Sequence, residues 1–140
     1  MSNIRLHNWS RWLFKHKLVL PAKLFSRMMR ILYSCDIQPT AEIADSVVFA
    51  HKGLGVVIGV DTIIGDNTKI MQNVTIGGRN GVRANPVIGK NCLIGAGACV
   101  LGDITIGDNV QIGANAVVLH DVPDRCTAVG VPARIITKTI

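Results

Sequence analysis

His51 stands in the run Ala50-His51-Lys52-Gly53-Leu54-Gly55, which interrupts an otherwise regular chain. Imidazole takes and returns a proton near neutral pH, so a histidine in a glycine-rich interruption is a candidate general base. Asp36 lies 15 residues earlier. A carboxylate beside that ring fixes its tautomer and stabilises its charged form, as in any Asp-His pair used for base work. The other histidines offer less: His7 and His16 sit in a basic leader, and His120 stands beside Asp121 where a solvated residue is expected. Cys35, next to Asp36, is a nucleophile only if a second base activates it, and none is placed to do so.

The elements that must position these residues show in the register that His51 breaks. From Ile58 to Pro123 an aliphatic residue returns every six positions: Ile58, Ile64, Ile70, Ile76, Val82, Ile88, Ile94, Val100, Ile106, Ile112 and Val118. A helix turning about 100° per residue scatters such residues over all faces, so short strands joined by identical turns are expected. The following position is usually Gly, expected where a side chain clashes or φ turns positive. Four positions after each aliphatic residue comes a second inward column: Thr62, Thr68, Val74, Cys92, Ala98, Ile104, Val110, Ala116 and Val122. The pattern predicts an all-β solenoid, a parallel β-helix with three hexapeptide sides per coil. Coils begin near Asp36, with Ile37, Ile43 and Phe49 in phase, and slip by three residues before Ile58. Gly77 to Pro86 is poor wall material and reads as a loop leaving the coil, although Val82 keeps the count. The expected organisation is a leader over 1–34, a β-helix over 35–123 with an excursion loop at 77–87, and a tail over 124–140.

The net charge of +6 is unevenly spread. Residues 1–34 carry seven bases and no acid, while the rest carries eight bases against nine acids. Five of six aromatics, Trp9, Trp12, Phe14, Phe25 and Tyr33, also lie in the leader. Two short helices are expected, about 8–18 and 22–33, separated at Pro21. They form a helical cap on the open end of the solenoid. A second reading adds peripheral contact with an anionic membrane through residues 5–33. The sequence lacks an 18-residue apolar run or a signal-peptide pattern, so a cytoplasmic protein is expected. Cys35, Cys92, Cys99 and Cys126 show no CxxC spacing and are expected to be free thiols. No basic groove or stacking platform for nucleic acid is legible in the repeats.

Together these motifs resemble the hexapeptide-repeat acyltransferases, in the branch of serine O-acetyltransferases and related polysaccharide O-acetyltransferases. The resemblance covers about residues 34–137. It rests on Asp36-Ile37-Gln38-Pro39, His51 with Gly53-Leu54-Gly55-Val56-Val57-Ile58, Gln72-Asn73-Val74-Thr75-Ile76-Gly77-Gly78, Ile94-Gly95-Ala96-Gly97-Ala98, and Val129-Gly130-Val131-Pro132-Ala133-Arg134. It implies a left-handed β-helix, a homotrimer, and acetyl-CoA lying between adjacent subunits. It also implies His51 as the base and Asp36 as its orienting carboxylate. Gly78, Ala96 and Ala114 match backbone positions along the pantetheine arm. Ala133 and Arg134 match the tail over the adenine and phosphate end, where Lys138 adds charge. One residue is inserted after His51 relative to the serine enzymes, which makes Lys52 a register alternative, though an always-charged ammonium is a poor base.

The match breaks in the excursion loop. Where the serine enzymes carry Asp-Arg-His-Pro, this chain has Arg83-Ala84-Asn85-Pro86, without an acid for a substrate ammonium. The expectation is therefore an acetyl-CoA-dependent O-acetyltransferase acting on a sugar hydroxyl of a surface polysaccharide precursor, with Arg79, Arg83 and Asn85 at the acceptor. Serine acetylation is the alternative, and a non-catalytic scaffold a further one. A γ-class carbonic anhydrase fails on counting, since three histidine ligands are needed and the coils offer His51 and His120; no metal is expected.

Overall fold

In a computed structural model of the chain, residues 3–81 and 84–137 are described. Val82, Arg83 and Lys138, each named above, lie outside the described residues.

Strands of two to four residues wind into three faces. The first face stacks β1 (Asp36–Ile37), β4 (Val57–Ile58), β7 (Thr75–Gly77), β10 (Cys99–Leu101) and β13 (Val117–Val118). The second stacks β2 (Glu42–Ile43), β5 (Ile63–Ile64), β8 (Val87–Ile88) and β11 (Thr105–Ile106), continued by a bridge from Ile106 to Val122. The third stacks β3 (Val48–Phe49), β6 (Lys69–Ile70), β9 (Leu93–Ile94), β12 (Gln111–Ile112) and β14 (Cys126–Val129), all parallel, and ends on the antiparallel β15 (Arg134–Thr137). Each coil therefore visits the three faces in turn. The described members of both inward columns are buried, from Ile58 to Val118 and from Thr62 to Val122.

Register locates the irregularities. Val87 pairs with Thr105 and Leu93 with Gln111, each 18 positions on. Asp36 pairs with Val57, 21 positions on, so the first coil holds the three extra residues. Ile63 pairs with Val87, 24 positions on, so a whole hexapeptide's worth of chain leaves the wall between Gly77 and Pro86. The wall also extends beyond Pro123: β14 continues the third face, with Ala128 in the core.

The glycines after the aliphatic column work by close approach rather than by positive φ. Gly59, Gly65, Gly89, Gly95, Gly107 and Gly113 are absent from the left-handed region. A Cβ on Gly95 would lie 2.6 Å from the Ala114 nitrogen, so stacked backbones leave no room there. The left-handed turn residue comes two positions later, at Asp61, Asn67, Asn73, Asn91, Gly97, Asn109 and Asn115. Short polar side chains tolerate that conformation.

Helices α1 (Asn3–Lys15) and α2 (Val19–Tyr33) lie across the first coil. The break falls at Lys17, which is left-handed, rather than at Pro21. Pro21 sits in the first turn of α2, where a missing N–H costs no helical bond. Leu6 and Met29 join Cys35, Ile37, Ala41, Ile43 and Val47 in one core cluster. Outside it, Arg11 pairs with Glu42 at 2.5 Å and the Asn8 amide donates to Asp45 at 2.7 Å.

Candidate functional site

His51 lies in the 3-10 turn Ala50–Gly53, at the corner where the third face passes back to the first. The turn is strained: His51, Lys52, Gly53 and Gly55 have φ of 49, 56, 76 and 69°. Two consecutive non-glycine residues in the left-handed region each cost about 1–2 kcal/mol, and such strain concentrates at working sites. The neighbouring coils hold the turn. Gly55 N–H donates to Ser34 O at 2.8 Å, and Asn73 N–H donates to Leu54 O at 2.9 Å. The Asn73 amide oxygen occupies the space a Cβ on Gly55 would need. His51 itself is exposed, and its ring has no hydrogen-bond partner among the described residues.

Asp36 begins the strand below this turn, with its N–H donating to Val56 O at 2.8 Å. Its carboxylate pairs with the Arg30 guanidinium from the last turn of α2 and not with His51. Arg30 is a partner of Asp36 that the sequence pattern did not single out. Its six-residue distance from Asp36 across a helix end was the available signal. Cys35 is buried, and its thiol is pushed up to about 11, first by burial and then by the Asp36 charge. That makes it a poor nucleophile.

The remaining predicted residues among those described lie along two edges of the first face. On the His51 edge, corners stack coil on coil: Gly97 N–H donates to Gln72 O at 3.0 Å and Asn115 N–H donates to Ala96 O at 2.8 Å. Ala133 N–H donates to Val117 O at 2.8 Å and completes the column. His51, Ala96, Ala114 and Ala133 therefore share one edge. Over four coil steps it runs about 20 Å at the usual strand spacing, with small residues along its length. The Gln72 side-chain oxygen on this edge is buried without a partner among the described residues. Arg134, next to Ala133, lines a cavity of about 290 Å³ with Leu119, His120 and Ile135.

Gly78, Arg79 and Asn85 lie on the opposite edge, where the first face passes to the second. Arg79 packs over Gly102 and, with Asp103 and His120, lines a second cavity of about 290 Å³. The Asn85 amide folds back over Gly59. Strands of two to three residues separate the edges by about 7–10 Å. One chain thus presents the two halves of the predicted site facing different ways. A larger concavity, about 600 Å³, is lined by Trp9, Trp12, Leu13 and Phe25 of the helices and involves none of these residues. No group of three or more His, Cys, Asp or Glu capable of holding a metal occurs among the described residues.

Known proteins share this fold. The bacterial transferase hexapeptide family (six repeats) matches residues 85–120. The serine acetyltransferase of Synechococcus elongatus is 42% identical over 135 residues, covering 95% of this chain and 55% of the relative. A serine acetyltransferase from Brucella abortus, solved with coenzyme A, superposes with a TM-score of 0.93 at 36% identity, over 97% of this chain and 55% of that one. The Neisseria gonorrhoeae serine acetyltransferase, solved with serine, gives 0.90 at 36% identity, over 94% and 54%. The chain spans about half the length of these relatives. Its repeat, its three parallel faces and these likenesses place the coils in the left-handed β-helix class. The chain carries the bacterial transferase hexapeptide repeat, and its β-helix is serine acetyltransferase-like.

Proposed function

We propose that this protein transfers an acetyl group from acetyl-CoA to an acceptor hydroxyl, with His51 as general base. The observation that carries the reading is the His51 edge: an exposed imidazole on a strained turn, at one end of a column of small residues that ends at Ala133 and Arg134. A long, thin coenzyme fits such a column, and two solved relatives hold coenzyme A. His51 removes the hydroxyl proton, the oxygen attacks the thioester carbonyl, the carbon–sulfur bond breaks, and the proton passes to the departing thiolate. Asp36 turns from Arg30 to the imidazole in the ternary complex and stabilises its charged form. A homotrimer in which one subunit's His51 edge faces its neighbour's Gly78 edge joins the two half-sites, and the Gly78 N–H then supports the oxyanion.

Serine is the acceptor favoured by the relatives' names, ahead of the sugar hydroxyl expected from the sequence. One observation still favours the sugar: the excursion loop offers Arg79 and Asn85 and no acid to meet a substrate ammonium. Incubation with acetyl-CoA and either serine or nucleotide sugars, read by mass spectrometry, tests both. O-acetylserine supports the first acceptor and an acetylated sugar the second. Failure to acetylate any hydroxyl would refute the activity.

The leader supports peripheral contact with an anionic membrane. Leu20, Leu24 and Ile31 are 81, 58 and 82% exposed, amid bases and no acids. No described helix is long and apolar enough to cross a bilayer. Sedimentation of the full chain with anionic vesicles at low salt tests the contact, and its absence would end the idea.

A further inference from the structure

Lys23, Arg27 and Arg30 recur at i, i+4 and i+7 on α2 and therefore share one flank of the helix. That flank faces β1. With Asp36, Gln38 and Pro39 the three cations line a cavity of about 250 Å³. Like charges one turn apart repel weakly on this exposed flank, and an anion held between them removes that repulsion. Arg30 is already paired with Asp36. Lys23 and Arg27 have no acidic partner among the described residues, and no acid occurs in residues 1–34. The cavity thus holds one neutralised ion pair and two uncompensated cations, with the Gln38 amide beside them.

We propose that this cavity is an anion subsite that takes the phosphate or diphosphate group of a sugar acceptor, which deepens the second of the two acceptor readings and not the serine one. Two uncompensated cations match a dianion. A zwitterionic acceptor fits less well, because its ammonium meets only Asp36, which Arg30 occupies. Arginine and lysine bind phosphate oxygens by charge-assisted hydrogen bonds. Asp36 belongs both to the cavity and to the proposed catalytic pair. An anion held here fixes the acceptor beside the corner that carries His51, and by drawing on Arg30 it leaves Asp36 available to the imidazole. The word acceptor rests on the acetyl-transfer reading; the subsite is tested without turnover.

The probe is inorganic pyrophosphate, titrated calorimetrically into the full chain after saturation with coenzyme A, which occupies the coenzyme's own phosphate site. Saturable one-to-one binding is expected. K23A/R27A should weaken it by about tenfold or more, the scale of one or two lost charge-assisted hydrogen bonds. K15A/K17A, which removes equal charge outside the cavity, should leave it unchanged. Absence of saturable binding by the unaltered chain, or equal losses in both double variants, would overturn the subsite. So would sedimentation with anionic vesicles that depends on Lys23 and Arg27 without any pyrophosphate binding, since the cations would then face lipid. The coenzyme titration reports separately on the acetyl-transfer reading, and its failure leaves the pyrophosphate result to decide the subsite.

Discussion

At the scale of single residues, the proposed chemistry rests on His51 and on what surrounds it. His51→Ala is expected to lower turnover by about 10²–10⁴ while coenzyme binding and coil packing persist, because the ring is exposed and supports no neighbour. Steady-state kinetics beside a thermal melt separates the two effects. Lys52→Gly should leave turnover near that of the unaltered protein, since glycine adopts the left-handed conformation freely and an ammonium contributes nothing as a base. Cys35→Ala should also remain active, in keeping with a buried thiol raised to about 11; a dead variant that still folds would revive a covalent route. The turn that carries His51 was legible because the six-residue register fails there. Arg30's grip on Asp36 was not, since one-dimensional spacing does not say which side of a helix end meets the following strand.

At the scale of elements, stacking and capping follow different rules. The Cβ of Gly95→Ala would meet only backbone atoms, at 2.6–2.7 Å. Such overpacking is expected to cost about 1–3 kcal/mol and lower the melting temperature. Gly77→Ala, with nothing within 4 Å, should be near neutral. The sequence left a side-chain clash and a positive φ as two reasons for these glycines, and the stacked coils decide for the clash. The cap has its own pH dependence. His7 is buried, and its Nε2–H donates to Ala41 O at 3.1 Å while Nδ1 has no partner among the described residues. Burial is the largest cause that lowers its pKa from 6.5 to about 4, with the Arg11 charge adding to it. The unfolded chain therefore takes up the proton first. Stability should be flat above about pH 6.5 and fall by up to about 3 kcal/mol toward pH 4. Denaturant melts across that range, with His7→Asn flattening this component, check the sign.

At the scale of the whole molecule, a regular solenoid carries two irregularities and a charged cap. The hexapeptide register revealed the solenoid, the three-residue slip and the loop because side-chain periodicity maps directly onto coil length. Handedness and the facing of the two edges were not legible, since periodicity is blind to the direction of winding and to neighbours. The tail also misled: Asp124 to Val129 lacks the glycine pattern yet adds another parallel strand, whose backbone pairing needs only an inward small residue at Ala128. The proposed function joins these parts: the slip supplies the base, the small-residue edge carries the coenzyme, and the loop and cap meet the acceptor. Thiol release from acetyl-CoA, measured with acceptor for the unaltered chain and for His51→Ala, tests this most directly. Acceptor-dependent release that falls by about 10²–10⁴ in the variant is predicted; no acceptor-dependent release, or equal rates in both proteins, would contradict it.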